Sequence, residues 1–129
     1  MDLDDFMAAH AALAWEWGTV DCSLVLADWA VANGHRDPGA TLRGSYADEL
    51  GWQAIVVKRG GLFPLVSDVC ARAHFPIAAV PTRGVVGVIG APHSALRQWG
   101  AIHDGETWLV RNPDGFSPMT ARILGMWVI

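Results

Sequence analysis

Trp17-Gly18-Thr19-Val20-Asp21-Cys22-Ser23-Leu24-Val25 is the stretch on which the reading of the fold turns. After the polar break Gly18 to Asp21, the run CSLVLADWAVAN is apolar on almost every side and closes at Asn33-Gly34, a left-handed terminator pair. A helix without a polar face belongs in the interior, so this segment predicts a buried central helix with Cys22 on its first turn. There the unpaired backbone N–H groups and the positive end of the helix dipole favour thiolate over thiol, which is how a nucleophile is made. The alternative is that Cys22 is only a small apolar residue at a helix start. Asp21 reads as the helix cap rather than a catalytic group.

Upstream, Leu3, Phe6, Met7, Leu13 and Trp17 recur at near-helical spacing, which predicts a first helix over 4–16, capped by Asp2 or Asp4 and stopped by Gly18. Downstream, Asp37-Pro38-Gly39 is a turn, and Ser45 to Asp48 has capping-box spacing before a helix that ends near Gly60-Gly61. Pro64 suits the first turn of a short helix carrying Leu65, Val66, Val69 and Cys70. Beyond Pro81 the texture becomes that of strands: 85–89 is β-branched, Trp99–His103 and Thr107–Arg111 flank a DGE turn, and Met126–Ile129 is a last apolar run. Gly115-Phe116-Ser117-Pro118 reads as a turn into the closing strand. Helices first and strands afterwards is the α+β order, with the buried helix across one face of a small antiparallel sheet.

With 129 residues, 52% of them hydrophobic and 17% charged, the chain is sized for one domain, 1–129, with a packed core. Nine Lys+Arg against thirteen Asp+Glu give a net charge of −4, and the basic residues are scattered along the chain, so no nucleic-acid partner is expected. No run approaches the roughly 20 apolar residues of a bilayer crossing, and the acidic start MDLDDF lacks the cationic region of a signal peptide. No membrane insertion is expected. Cys22 and Cys70 fit neither a disulfide framework nor zinc spacing, so no metal and no cofactor is expected. Of seven tryptophans, Trp17, Trp52, Trp99 and Trp108 suit a sugar-stacking groove or a core and subunit contact. The second is favoured because Trp29 and Trp127 already lie in buried segments.

The pattern Gly18-x-x-Asp21-Cys22-Ser23-Leu24-Val25, with Trp29, Gly34 and Asp37-Pro38, resembles the nucleophile helix of the NlpC-type cell-wall cysteine peptidases, a papain-like superfamily. More closely, the whole chain is similar to a family of small uncharacterised domains encoded among phage and prophage tail genes. Arg43-Gly44-x-Tyr46, Gly60-Gly61-Leu62, Gly84-Val85-Val86, Gly115-Phe116 and Trp127-Val128-Ile129 carry that likeness. The resemblance implies an NlpC-type papain-like fold in which a histidine at the start of the second strand activates the cysteine. The family pattern His-Val-Gly-Ile-Tyr aligns with 98–102, however, which puts Gln98 in the histidine slot. Glutamine donates a hydrogen bond but cannot take a thiol proton. The Gly-Asp that commonly opens the first strand of the peptidases is here Gly84-Val85.

Among the other histidines, His103 lies an odd offset along the same strand and so faces the opposite side. His93, in the Pro-His-Ser connection, is the stand-in base if its loop folds back over Cys22, and a solvated loop residue otherwise. His10 and His35 read as surface residues and His74 as a helix end; Asn112 and Asp104 would orient a base. The candidate catalytic residues are therefore Cys22, Gln98 and His93. One reading is a phage tail-tip module, made in the host cytoplasm and carried in the virion. It would be structural or weakly active and bind tail hub and tip proteins, with peptidoglycan as a further ligand. Another is an active peptidase or amidase cutting peptidoglycan stem peptides through a Cys22 thioester. A third is a cytoplasmic thiol protein with no phage role.

Overall fold

Four helices precede five strands in the computed structural model, which describes all 129 residues. Helix α1 (Leu3–Ala11) starts where the Asp2 carboxylate accepts the Asp5 N–H, and it buries Leu3, Phe6 and His10, one stripe at helical spacing. Helix α2 (Leu24–Ala32) has no polar face and is buried nearly all round. Gly34, at φ +89°, ends it. Helix α3 (Glu49–Lys58) is capped by Asp48, which accepts the Gly51 N–H, and helix α4 (Leu62–Arg72) carries Pro64 in its first turn. No helix is long and apolar enough to cross a membrane.

Two helix starts and one helix end differ from expectation. α1 stops at Ala11 rather than 16, because the buried Arg111 guanidinium takes the His10 and Leu13 carbonyls at 2.9 Å and draws the chain out of the helix. α2 begins at Leu24, so Cys22 sits in the turn immediately before the helix instead of on its first turn. α3 is capped by Asp48 and not by Ser45, whose hydroxyl bonds back to the Leu42 carbonyl.

The strands β1 (Val86–Gly90), β2 (Gln98–His103), β3 (Trp108–Asn112), β4 (Gly115–Met119) and β5 (Ile123–Trp127) form one antiparallel sheet in the order β4-β3-β2-β1-β5. Residues 115–118, expected as a turn, are a strand, with Phe116 opposite Arg111 and Pro118 opposite Leu109. Proline is tolerated there because β4 is an edge, where one row of N–H groups has no partner to lose. Strand alternation divides the core. Val86, Val88, Ile102 and Trp127 join the helices in the main cluster, while Val85, Ile89, Ala101, Trp108 and Val110 form a second cluster on the other face. Glycine sets two close approaches: a Cβ on Gly87 would stand 2.7 Å from the Trp108 ring, and one on Gly100 3.0 Å from the Leu26 side chain of α2.

A polar chain stitches the helices to the sheet. Arg111, 1% exposed, donates to the Asn112, His10 and Leu13 carbonyls and, through Nε, to His10 Nδ1 at 3.0 Å. Nδ1 must therefore be the acceptor, which leaves His10 Nε2 to donate to Asp28 at 2.8 Å. Arg43 completes the chain by bridging Asp28 and Asp37. His10, expected at the surface, is thus interior, whereas His35 is exposed as expected. Removing Arg111 orphans three carbonyls and a ring nitrogen, so Arg111→Ala should cost roughly 3–5 kcal/mol in urea denaturation. Arg111→Lys should recover only a minority of that, because one ammonium cannot reach the same spread of acceptors.

Candidate functional site

The turn that carries Cys22 is built around the Asp21 carboxylate, which is fully buried. One oxygen accepts the Ser23 and Leu24 N–H groups at 2.9 and 2.8 Å, satisfying two orphan donors at the tip of α2. The other accepts the Gly18 N–H at 2.9 Å and the Tyr46 hydroxyl at 2.6 Å. Asp21 is therefore a cap, as expected, and also a tether between two loops. Gly18 is required where it stands: its φ is +86°, a Cβ would come 2.1 Å from the Tyr46 carbonyl oxygen, and its own carbonyl accepts the Gly44 N–H. These contacts explain why Gly18-x-x-Asp21 and Arg43-Gly44-x-Tyr46 occur in the same chain.

Cys22 is half-buried at the leading end of α2, with its carbonyl oxygen 3.1 Å from where a Gly100 Cβ would stand. Its backbone thus abuts β2 two residues beyond Gln98. The electrostatics oppose a thiolate. Burial pushes the thiol up to about 12, the Asp21 carboxylate adds to the rise, and the Ser23 hydroxyl offsets only part of it. The helix tip was expected to lower this value, but its free N–H groups are already committed to a carboxylate that repels a second negative charge. Trp52 donates its indole N–H to the Ser23 hydroxyl at 2.9 Å, and Trp17 packs against Trp52 and Trp15 at 5.6 and 5.2 Å between centroids.

Gln98 is occupied elsewhere. Its Oε1 accepts the Phe63 N–H at 2.9 Å and its Nε2 donates to the Ala91 carbonyl at 3.0 Å. The first of these bonds caps α4 from the sheet, because the residue before that helix, Gly61, has no side chain to do so. A Cβ on Gly61 would stand 2.7 Å from Gln98 Oε1, which accounts for the Gly60-Gly61-Leu62 motif. His93 is exposed in the turn after β1 and makes no side-chain hydrogen bond. His103 points to the second cluster, its Nδ1 accepting the Gly105 N–H at 3.0 Å and its ring edge-on to Trp108. Asn112 bonds Ser117, and Asp104 accepts two N–H groups of its own turn, so neither orients a histidine over Cys22.

The helix tip and the strand are brought together, while the acid–base partner is not. Sequence reasoning missed the His10–Asp28–Arg43–Asp37 chain; the signal that could have found it is that His10 follows Leu3 and Phe6 at helical spacing. The two large grooves, of about 430 and 610 Å³, are lined by none of Cys22, Gln98 and His93. Of the four tryptophans assigned to the core or a subunit contact, only Trp108 is buried, as are Trp29 and Trp127. Trp15, Trp17, Trp52 and Trp99 are half-buried.

The profile of a family described as a domain of unknown function, DUF6950, matches residues 1–128, and the chain belongs to that family. No curated protein and no solved structure matches it. The likeness to cell-wall peptidases therefore rests on the chain's own residues.

Two outcomes follow from this geometry. Gln98→Leu should cost about 1–3 kcal/mol in urea denaturation, since it strands the Phe63 N–H and the Ala91 carbonyl, and should leave the alkylation rate of Cys22 unchanged. The fold also holds Cys22 and Cys70 neutral up to about 12 and raises the Tyr46 hydroxyl, mainly by burial. Their folded values lie above the unfolded ones, so the stability they contribute is full below about pH 8.5. It is lost as the pH rises towards about 12. The urea midpoint should fall steadily over that alkaline interval, and a midpoint flat to pH ~10.5 would contradict the assignment.

Proposed function

We propose that this DUF6950 domain is a papain-like module related to peptidoglycan cysteine peptidases, acting by binding at a phage tail tip and lacking a working base. The observation that carries the reading is Gln98. It lies on the strand against which the Cys22 turn packs, and both ends of its amide are spent on α4 and the β1–β2 connection. A thiol pushed up to about 12 with no imidazole beside it supports the same view. The phage setting and the binding to hub and tip proteins rest on the sequence likeness of the motifs around Cys22 and along the chain.

A second reading, an active peptidase or amidase on peptidoglycan stem peptides, has one feature in its favour. Cys22, half-buried, still stands at the leading end of a buried helix, its backbone against β2.

Alkylation by iodoacetamide at pH ~7.5 separates the two. We expect Cys22 in the folded domain to react at least about tenfold more slowly than free cysteine. Purified peptidoglycan should release no more soluble fragment with the wild-type domain than with Cys22→Ala, while the domain co-purifies with the tail hub protein of its own phage. Cys22-dependent release, or a thiol faster than free cysteine, would establish the enzyme instead. A domain that binds no tail component would remove the structural role.

A further inference from the structure

A groove of about 430 Å³ opens between the 35–42 loop, the Arg59 C-cap of α3 and the last turns of α4. Its rim carries Arg36, Arg59 and Arg72, and its floor is Pro38, Leu42, Val69 and Phe75. Three of the eight arginines that look scattered along the sequence are thus gathered here, in a chain whose net charge is −4.

The acidic residues of the groove offset only part of the arginines' charge. Asp37 is committed to Arg43, which holds its carboxyl below the usual carboxylate range. Asp68 is shared, one oxygen accepting from both Arg59 at 3.0 Å and Arg72 at 3.2 Å. Arg36 has no ion-pair or hydrogen-bond partner and is exposed, and the Arg72 side chain is 81% exposed. An exposed guanidinium fork with no acceptor is a ready partner for a carboxylate. The four floor residues also line an adjoining apolar cavity of about 50 Å³, room for a small hydrocarbon group but too small for a sugar ring.

We infer that this groove binds an acidic peptide segment of a partner protein, with carboxylates on Arg36, Arg59 and Arg72 and one aliphatic side chain seated over Val69 and Phe75. Charge complementarity favours the acid. The groove's cations come from the 35–42 loop, the C-cap of α3 and the last turn of α4, which favours an extended chain over a single compact anion. The site is independent of Cys22 and does not need the peptidase-like ancestry to hold.

The test is fluorescence polarisation with a labelled Glu-Glu-Leu-Glu-Glu peptide, its Gln-Gln-Leu-Gln-Gln counterpart, and inorganic pyrophosphate as competitor, all with the full chain. The acidic peptide should bind, and the affinity should fall with added salt. Arg36→Glu combined with Arg72→Glu should weaken it by roughly tenfold or more, with an unchanged circular dichroism spectrum because neither side chain is buried. Three results would each overturn the inference. They are no binding at millimolar peptide, equal binding of the glutamine peptide, and pyrophosphate binding at these arginines without any binding of the acidic peptide.

Discussion

One buried carboxylate organises the region from which everything chemical about this chain is argued. Asp21 has no exposure to solvent, yet both its oxygens are filled, two donors coming from the tip of α2 and two from the loops around Gly18 and Tyr46. A carboxylate in the interior is tolerated only when hydrogen bonds replace its water, and here four do so. The same bonds fix the direction in which α2 enters the core and hold Cys22 at its leading end.

That arrangement has a chemical consequence. A helix tip stabilises an anion through free N–H groups, and Asp21 has already taken them. A thiolate at Cys22 would be a second negative charge beside the first, in a place poorly reached by water, and the thiol is held protonated as a result. An imidazolium nearby would reverse this balance, which is how thiol peptidases arrange matters. In this molecule β2, the strand against which the Cys22 turn packs, opens with Gln98, which works as a remote cap for α4, with Gly61 left bare to admit it. Placing a base at that residue would mean dismantling the cap, so thiol activation and the packing of α4 oppose each other at one residue.

The remaining polar interior follows the same logic. Arg111 and His10 lie far apart in sequence and meet under α1, where the guanidinium shortens the helix by taking its last carbonyls and fixes the tautomer of the ring. Asp28 and Arg43 carry the chain of bonds on to Asp37, beside the groove whose arginines have few internal acceptors. Of the arginines on that rim, Arg59 and Arg72 share the single carboxylate of Asp68, and Arg36 has no acceptor.

Much was legible in the residues alone. The unbroken apolar run after Asp21 marked α2 as buried, the β-branched stretches after Pro81 marked a sheet, and the parity of the 98–103 strand placed His103 opposite Gln98. Local pattern decides these because helix and strand periods are properties of neighbouring residues. The end of α1, the strand character of 115–118, the burial of His10 and the gathering of Arg36, Arg59 and Arg72 were settled only by tertiary structure. Each depends on a partner distant in sequence, and neither composition nor spacing says which carbonyl an arginine will reach. The Cys22 thiol is the sharpest case: its place at a helix tip was readable, whereas its protonation is set by desolvation and by a carboxylate already holding the donors, quantities that exist only once the chain is packed.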